Sequence, residues 1–176
     1  IQSDLGVHFY RLAGDTFAFE QLLPCAEGYF ALGPDLFATT SDCGLSQMPV
    51  AEHSFINVFR RQGGEWLFEQ TLDAPVEGET YFGRSMAVGA DRIVVGSVAY
   101  SGTRGGDAIL FEHDAARQPS WRGYQLLHGI AADFDDWDDL RSYSETVGYA
   151  VGMAGNTIVG GAPSDPDVTT ELRASQ

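Results

Sequence analysis

Apolar residues in this chain come in short runs of four to eight, punctuated by Gly, Asp, Asn and Pro, and none recurs with the 3.6-residue period of an amphipathic helix. Three segments share one hairpin pattern. Phe82-Gly83 leads through Met86-Ala87-Val88, the turn Gly89-Ala90-Asp91 and Ile93-Val94-Val95 to Gly96-Ser97-Val98. Val147-Gly148 leads in the same way through Gly155-Asn156 to Gly161-Ala162-Pro163, and Tyr29–Thr40 is a looser copy turning at Gly33-Pro34-Asp35. An apolar run, a turn tolerant of positive φ and a second apolar run predict a β-hairpin.

A second pattern alternates with the first. Val7–Arg11, Phe55–Arg60 and Ala108–Glu112 are followed by the runs Phe17–Leu23, Trp66–Leu72 and Trp121–Leu127, which contain Phe19-Glu20-Gln21, Phe68-Glu69-Gln70 and Gly123-Tyr124-Gln125. These trios mark a common register. Four short strands per unit, recurring every 50 to 65 residues or so, is the arithmetic of propeller blades. The predicted fold is therefore all-β: a β-propeller segment of four-stranded antiparallel blades, about three blade equivalents in all. The boundaries are a half blade over 7–23, blades over 28–72 and 82–127, and a half blade over 147–163.

Phe82-Gly83 with Gly96-Ser97-Val98, and Val147-Gly148 with Gly161-Ala162-Pro163, resemble the FG-GAP repeat of integrin α-chain propellers and secreted bacterial proteins. The likeness runs from about Val7 to Pro163. It implies that the loops joining strand four to strand one, and strand two to strand three, share a ligand-binding face. It also implies a secreted or extracellular setting. Tyr100, Arg104 and Asp107, in the glycine-rich segment Tyr100–Asp107, and Trp137 are the candidate ligand contacts on that face. Trp137 either stacks on a sugar or partner side chain or folds back onto a blade. The family's calcium loop lies in the turn between strands one and two. Here those turns are too short for a cage of oxygen ligands, so the family's calcium sites are expected to be absent.

Charge sharpens the picture. With 25 Asp and Glu against 10 basic residues, the formal net charge is −15. Such a surface repels phosphate, which argues against nucleic-acid and anionic-membrane partners and suits cations, basic partners or plain solubility. The run Asp133–Asp139 is either a solvated loop or a Ca²⁺ site with Asp133, Asp135 and Asp138 as ligands. Every basic residue is Arg, so a P-loop, Schiff-base or SxxK lysine is excluded from this chain. His8, His53, His113 and His128 show no zinc spacing, and no GxSxG elbow occurs. Trp66 and Trp121, heading fourth strands, are expected to be structural. The start Ile1-Gln2-Ser3-Asp4 has the look of a mature or internal sequence, without a signal peptide's charged and apolar regions.

The two cysteines flank the first hairpin. Pairing Leu32 with Phe37 places Cys25 opposite Gly44 and Ala26 opposite Cys43, so the thiols fall within one residue of facing each other. In an oxidising compartment they would bond; otherwise they are two half-buried free thiols. The expected function is a non-catalytic ligand-binding or adhesion module. A carbohydrate-binding lectin and an accessory domain of a secreted enzyme are the alternatives. Three blade equivalents cannot close a ring. The chain is expected either to belong to a longer propeller or to form a homodimer whose half blades complete a six-bladed ring.

Overall fold

The computed structural model describes residues 6–25, 28–45, 55–74, 82–97, 107–128, 147–161 and 173–175. These residues form antiparallel strands and no helix. A hairpin of β1 (Val7–Ala13) and β2 (Thr16–Leu23) comes first. A four-stranded meander follows, of β3 (Phe30–Leu32), β4 (Leu36–Thr39), β5 (Phe55–Gln62) and β6 (Glu65–Asp73) in chain order. A second meander holds β7 (Ser85–Val88), β8 (Arg92–Ser97), β9 (Asp107–His113) and β10 (Trp121–His128). The hairpin of β11 (Ala150–Ala154) and β12 (Thr157–Gly161) is next. The register within the first meander places Leu32 opposite Phe37, as the sequence pattern predicts.

One strand lies beyond the predicted set. β13 (Arg173–Ser175) pairs with Leu126–His128 and widens the second meander to five strands. It adds backbone hydrogen bonds to an outer edge. That requires no apolar run, so no hydrophobic pattern announced it.

The four sheets stack face to face. Alternate residues of one strand enter different layers, as the two-residue period of a strand requires. Phe37 and Phe59 join Phe9, Leu23 and Trp66 in a layer between the β1–β2 hairpin and the first meander. Leu36, Ala38, Ile56 and Val58, from the same two strands, point the other way, into a layer with Ile93, Val95, Ile109, Phe111 and Trp121 of the second meander. Val94, Ala108 and Leu110 face the β11–β12 hairpin, where Val151, Met153 and Ile158 close the third layer. The central strands are therefore buried on both faces. This accounts for unbroken runs such as Ile93-Val94-Val95 where a half-exposed strand would alternate. The first strands of successive sheets, β3, β7 and β11, also touch one another along one side of the stack.

Cys25 and Cys43, which flank the β3–β4 hairpin, form a disulfide among the aromatic residues of the first layer. The bond closes a loop of sequence separation 18. In the chain-entropy account a loop of that size contributes roughly 3 kcal/mol. Denaturant titration with and without reductant should show a loss of about that size, and Cys43→Ser should match the reduced protein.

Candidate functional site

Two ends of the stack differ in character. Apart from 114–120, the odd-to-even turns at one end are two or three residues long, and charged side chains collect there. Apart from 24–29, the even-to-odd connections at the other end are long, spanning 40–54, 74–84, 98–106 and 129–149 between described strands.

At the long-connection end, the paired motifs Phe82-Gly83 and Val147-Gly148 make the contacts between sheets. Phe82 and Val147 are fully buried, each in the layer between its own sheet and the preceding one. Gly83 and Gly148 adopt left-handed backbone, with φ of 87° and 97°. A Cβ on Gly83 would overlap the Thr40 methyl, and one on Gly148 would overlap the Asp107 carbonyl. Both sites thus demand glycine twice, for conformation and for space. Ser85 Oγ donates to the Gly148 carbonyl at 2.7 Å, and the Arg84 guanidinium lies 4.8 Å above the Tyr149 ring.

Beneath this end lies a polar layer. Asn57 Nδ2 donates to the Ser41 carbonyl at 2.9 Å, and Thr71 Oγ1 donates to Asn57 Oδ1 at 2.6 Å. Thr40 Oγ1 accepts the Tyr29 amide at 2.9 Å, and Thr39 Oγ1 accepts the Ser41 amide at 3.1 Å. These bonds satisfy backbone groups that the departing chain leaves unpaired. Ser41 Oγ is buried without a partner among the described residues.

Of the predicted ligand contacts, Asp107 opens β9 at this end, half-buried, with its carbonyl against Gly148. Tyr100, Arg104, Trp137 and the candidate metal ligands Asp133, Asp135 and Asp138 lie outside the described residues. Among the described residues no group of three or more His, Cys, Asp or Glu is placed to hold a metal.

The short-turn end holds an arrangement that motif reading passed over. Glu69 Oε1 accepts from Arg60 Nε at 3.0 Å and sits 3.2 Å from His113 Nε2, while Oε2 accepts the Trp121 indole N–H at 2.9 Å. Asp91 lies 4.0 Å from both Arg60 and His113. One sheet earlier, Glu20 accepts from Arg61 and from Arg11 Nε at 2.9 Å. Both glutamates are the extra residue of a β-bulge, opposite Phe9/Tyr10 and Val58/Phe59. The bulge turns the carboxylate towards the next sheet. With both oxygens of Glu69 engaged, this cluster joins two sheets.

The glutamines beside those glutamates complete the join. Gln21 Oε1 accepts the Trp66 amide at 2.7 Å, and its Nε2 donates to the Trp66 carbonyl at 3.2 Å. Gln70 repeats this on Trp121, at 3.0 Å for both bonds. Each side-chain amide imitates one rung of a β-ladder and ties one sheet to the next, β2 to β6 and β6 to β10. The Glu-Gln pairs stand out in the sequence as register markers, but their partners lie 45 and 51 residues away.

Comparison with protein-family models, curated proteins and solved structures finds no match.

Removing one clasp leaves two backbone groups to find water at a part-buried edge, at a cost of about 1–3 kcal/mol. Gln21→Ala and Gln70→Ala should each destabilise by that amount in denaturant titration. They share no partner, so the double variant should show the sum to within about 0.5 kcal/mol. Gly83→Ala combines a left-handed backbone with steric overlap and should cost about 2 kcal/mol or more. Gly14→Ala is the control. Its φ is 63° but a Cβ there meets nothing within 4 Å, so about 1 kcal/mol is expected.

Proposed function

We propose that this chain is a β-propeller segment of the FG-GAP type that binds a partner, without catalysis, through the end where its long connections gather. The observation that carries this reading is the division of labour between the two ends. At the short-turn end Glu20 meets Arg61 and Glu69 meets His113 between sheets, while Arg60 joins Glu69 within one. At the other end a rigid platform of buried Thr, Ser and Asn side chains holds the roots of long segments. Binding residues are characteristically carried on such segments over a fixed scaffold. The successive contact of β3, β7 and β11 supports the propeller arrangement, because innermost strands meet around a propeller's axis.

Partner chemistry follows from charge. A net charge of −15 favours a protein partner with a basic surface. Ca²⁺ held by Asp133, Asp135 and Asp138 would order the segment that carries Trp137, with Tyr100, Arg104 and Asp107 contributing from the neighbouring connection. The Cys25–Cys43 disulfide fits an extracellular setting.

Calorimetric titration should show Ca²⁺ binding that is lost in the D133N/D135N/D138N variant, with a Ca²⁺-dependent rise in melting temperature lost in parallel. An unchanged melt between chelator and millimolar Ca²⁺ would return that segment to a solvated surface loop. Trp137→Ala should abolish capture of a basic protein partner while leaving the melting temperature unchanged. Selective retention on a glycan array would instead favour the lectin.

A further inference from the structure

A strand at the edge of a sheet leaves alternate backbone N–H and C=O groups without a ladder partner, and this chain treats that edge differently at three equivalent places. Strand pairing and the shared bulge make Gln21, Gln70 and Gln125 equivalent, and with them the residues that follow: Leu22-Leu23-Pro24, Thr71-Leu72-Asp73 and Leu126-Leu127-His128. After β2 the third position is proline, which has no N–H to offer, and the Cys25 amide turns back to the Leu23 carbonyl at 2.7 Å. On β10 the three positions pair with Ser175, Ala174 and Arg173 of β13. On β6 no described residue pairs with them from the outer side.

The alternation of the ladder fixes which groups of β6 face outward. The Arg61 amide donates to the Asp35 carbonyl beside the Leu36–Arg60 pair, so Arg60, Val58 and Ile56 turn their backbone groups away from β4 and towards β6. Leu72, opposite Ile56, bonds back to β5, and Thr71 and Asp73 turn their N–H and C=O outward. The His113 amide on the Asp91 carbonyl sets the same phase in the second meander. There the outward groups are those of Leu126 and His128, which β13 takes up. Thr71 and Asp73 are exposed, and Leu72 between them is buried.

We propose that this edge of β6 is a strand-addition site for an extended segment of a basic partner, which pairs antiparallel with an arginine opposite Asp73 and a serine or threonine opposite Thr71. β13 supplies the geometry on the equivalent edge, and its sequence supplies the chemistry. Transferred to β6 in the same register, Arg173 would oppose Asp73 and Ser175 would oppose Thr71. Opposed charges and opposed hydroxyls are favourable cross-strand pairs. Thr71 Oγ1 gives its proton to Asn57 Oδ1 and so is left as an acceptor for the facing hydroxyl. Backbone bonds supply the affinity of an added strand, and its alternate side chains supply selectivity. The net charge of −15 attracts a cationic segment. This edge belongs to a meander covered on both faces, and it is separate from the long connections that carry the binding residues proposed above.

The test adds a synthetic peptide of residues 170–176 to the full chain and follows amide hydrogen exchange by NMR. The amides of Thr71 and Asp73 should exchange freely in the chain alone and slow when the peptide is added. Asp73→Pro places on β6 the proline that follows β2, leaves the bonds to β5 intact, and should weaken peptide binding about tenfold or more with the melting temperature unchanged. Asp73→Lys should weaken it by a similar factor, and a peptide with glutamate in place of its arginine should regain binding to that variant. The D133N/D135N/D138N chain should bind the peptide as the parent does, which separates this site from the acidic segment. A peptide that slows neither the Thr71 nor the Asp73 amide overturns the inference, as does protection confined to Leu126 and His128, where it would have displaced β13. So does an edge already protected in the chain alone, or binding that neither Asp73 variant weakens.

Discussion

Apolar side chains on both faces of β4, β5, β8 and β9 mean that neither meander can be covered by a single neighbour. A sheet in a two-layer sandwich needs an apolar side and a wet side, and its strands alternate accordingly. Here Leu36 and Phe37, or Val94 and Val95, are adjacent, fully buried and pointed into different layers. Fully burying one such side chain contributes roughly 1.5–3 kcal/mol, so stripping either neighbour from a meander would expose more apolar surface than its own hydrogen bonds could offset. Stacking is thus a condition for the sheets to exist, and the remaining features decide how the stack is aligned.

Alignment comes from polar groups placed where the apolar layers cannot specify it. A layer of Val, Ile and Phe tolerates sliding, because dispersion contacts are not directional. A carboxamide bonded to both the N–H and the C=O of one residue is directional, and it is repeated on Trp66 and Trp121. The bulge at Glu20 and Glu69 gives these strands the extra residue that lets a carboxylate and a carboxamide, adjacent in sequence, both reach the next sheet. Trp121 is then held by its backbone, by its indole N–H on Glu69, and by the Arg60 guanidinium 5.9 Å over its ring. Trp66 has the backbone clasp and Arg61 at 5.7 Å, but its indole N–H is buried without a partner among the described residues, and both arginines that reach Glu20 contact its Oε1. The first join is therefore the less completely satisfied of the two.

Hairpins and strand order were legible in the sequence because turn chemistry and two-residue periodicity are local. The Leu32–Phe37 register needed only a turn of known length, and from it the neighbouring cysteines could be matched. The all-β class followed from the same signals. Other features had no local signal. Glu69 and Gln70 could be recognised as recurrent, but a clasp on a residue 51 positions away is a property of stacking. His113 lacks every metal spacing and yet sits in the densest charged cluster of the described residues. β13 is held by backbone pairing to β10, which any sequence without proline can provide. Phe82-Gly83 shows a related limit. The motif was readable as a repeat marker, whereas its packing role, a buried plug and a wedge between sheets, depends on residues distant in sequence.

A repeat also hides which of its copies are covered. Phe17 and Trp66 satisfy the same pattern of aromatic residue, spacing and following Gln, and nothing local distinguishes the exposed one from the buried one. Only the stack reveals that Trp66 has a layer in front of it and Phe17 does not. In a chain with a single core, an apolar side chain left in water is an isolated event without explanation. Here Tyr10, Phe17 and Val159 all occupy positions whose equivalents are buried, and each lies on an outward face of the first or last sheet. The apolar character of those faces is what the repeat requires of any layer with a neighbour.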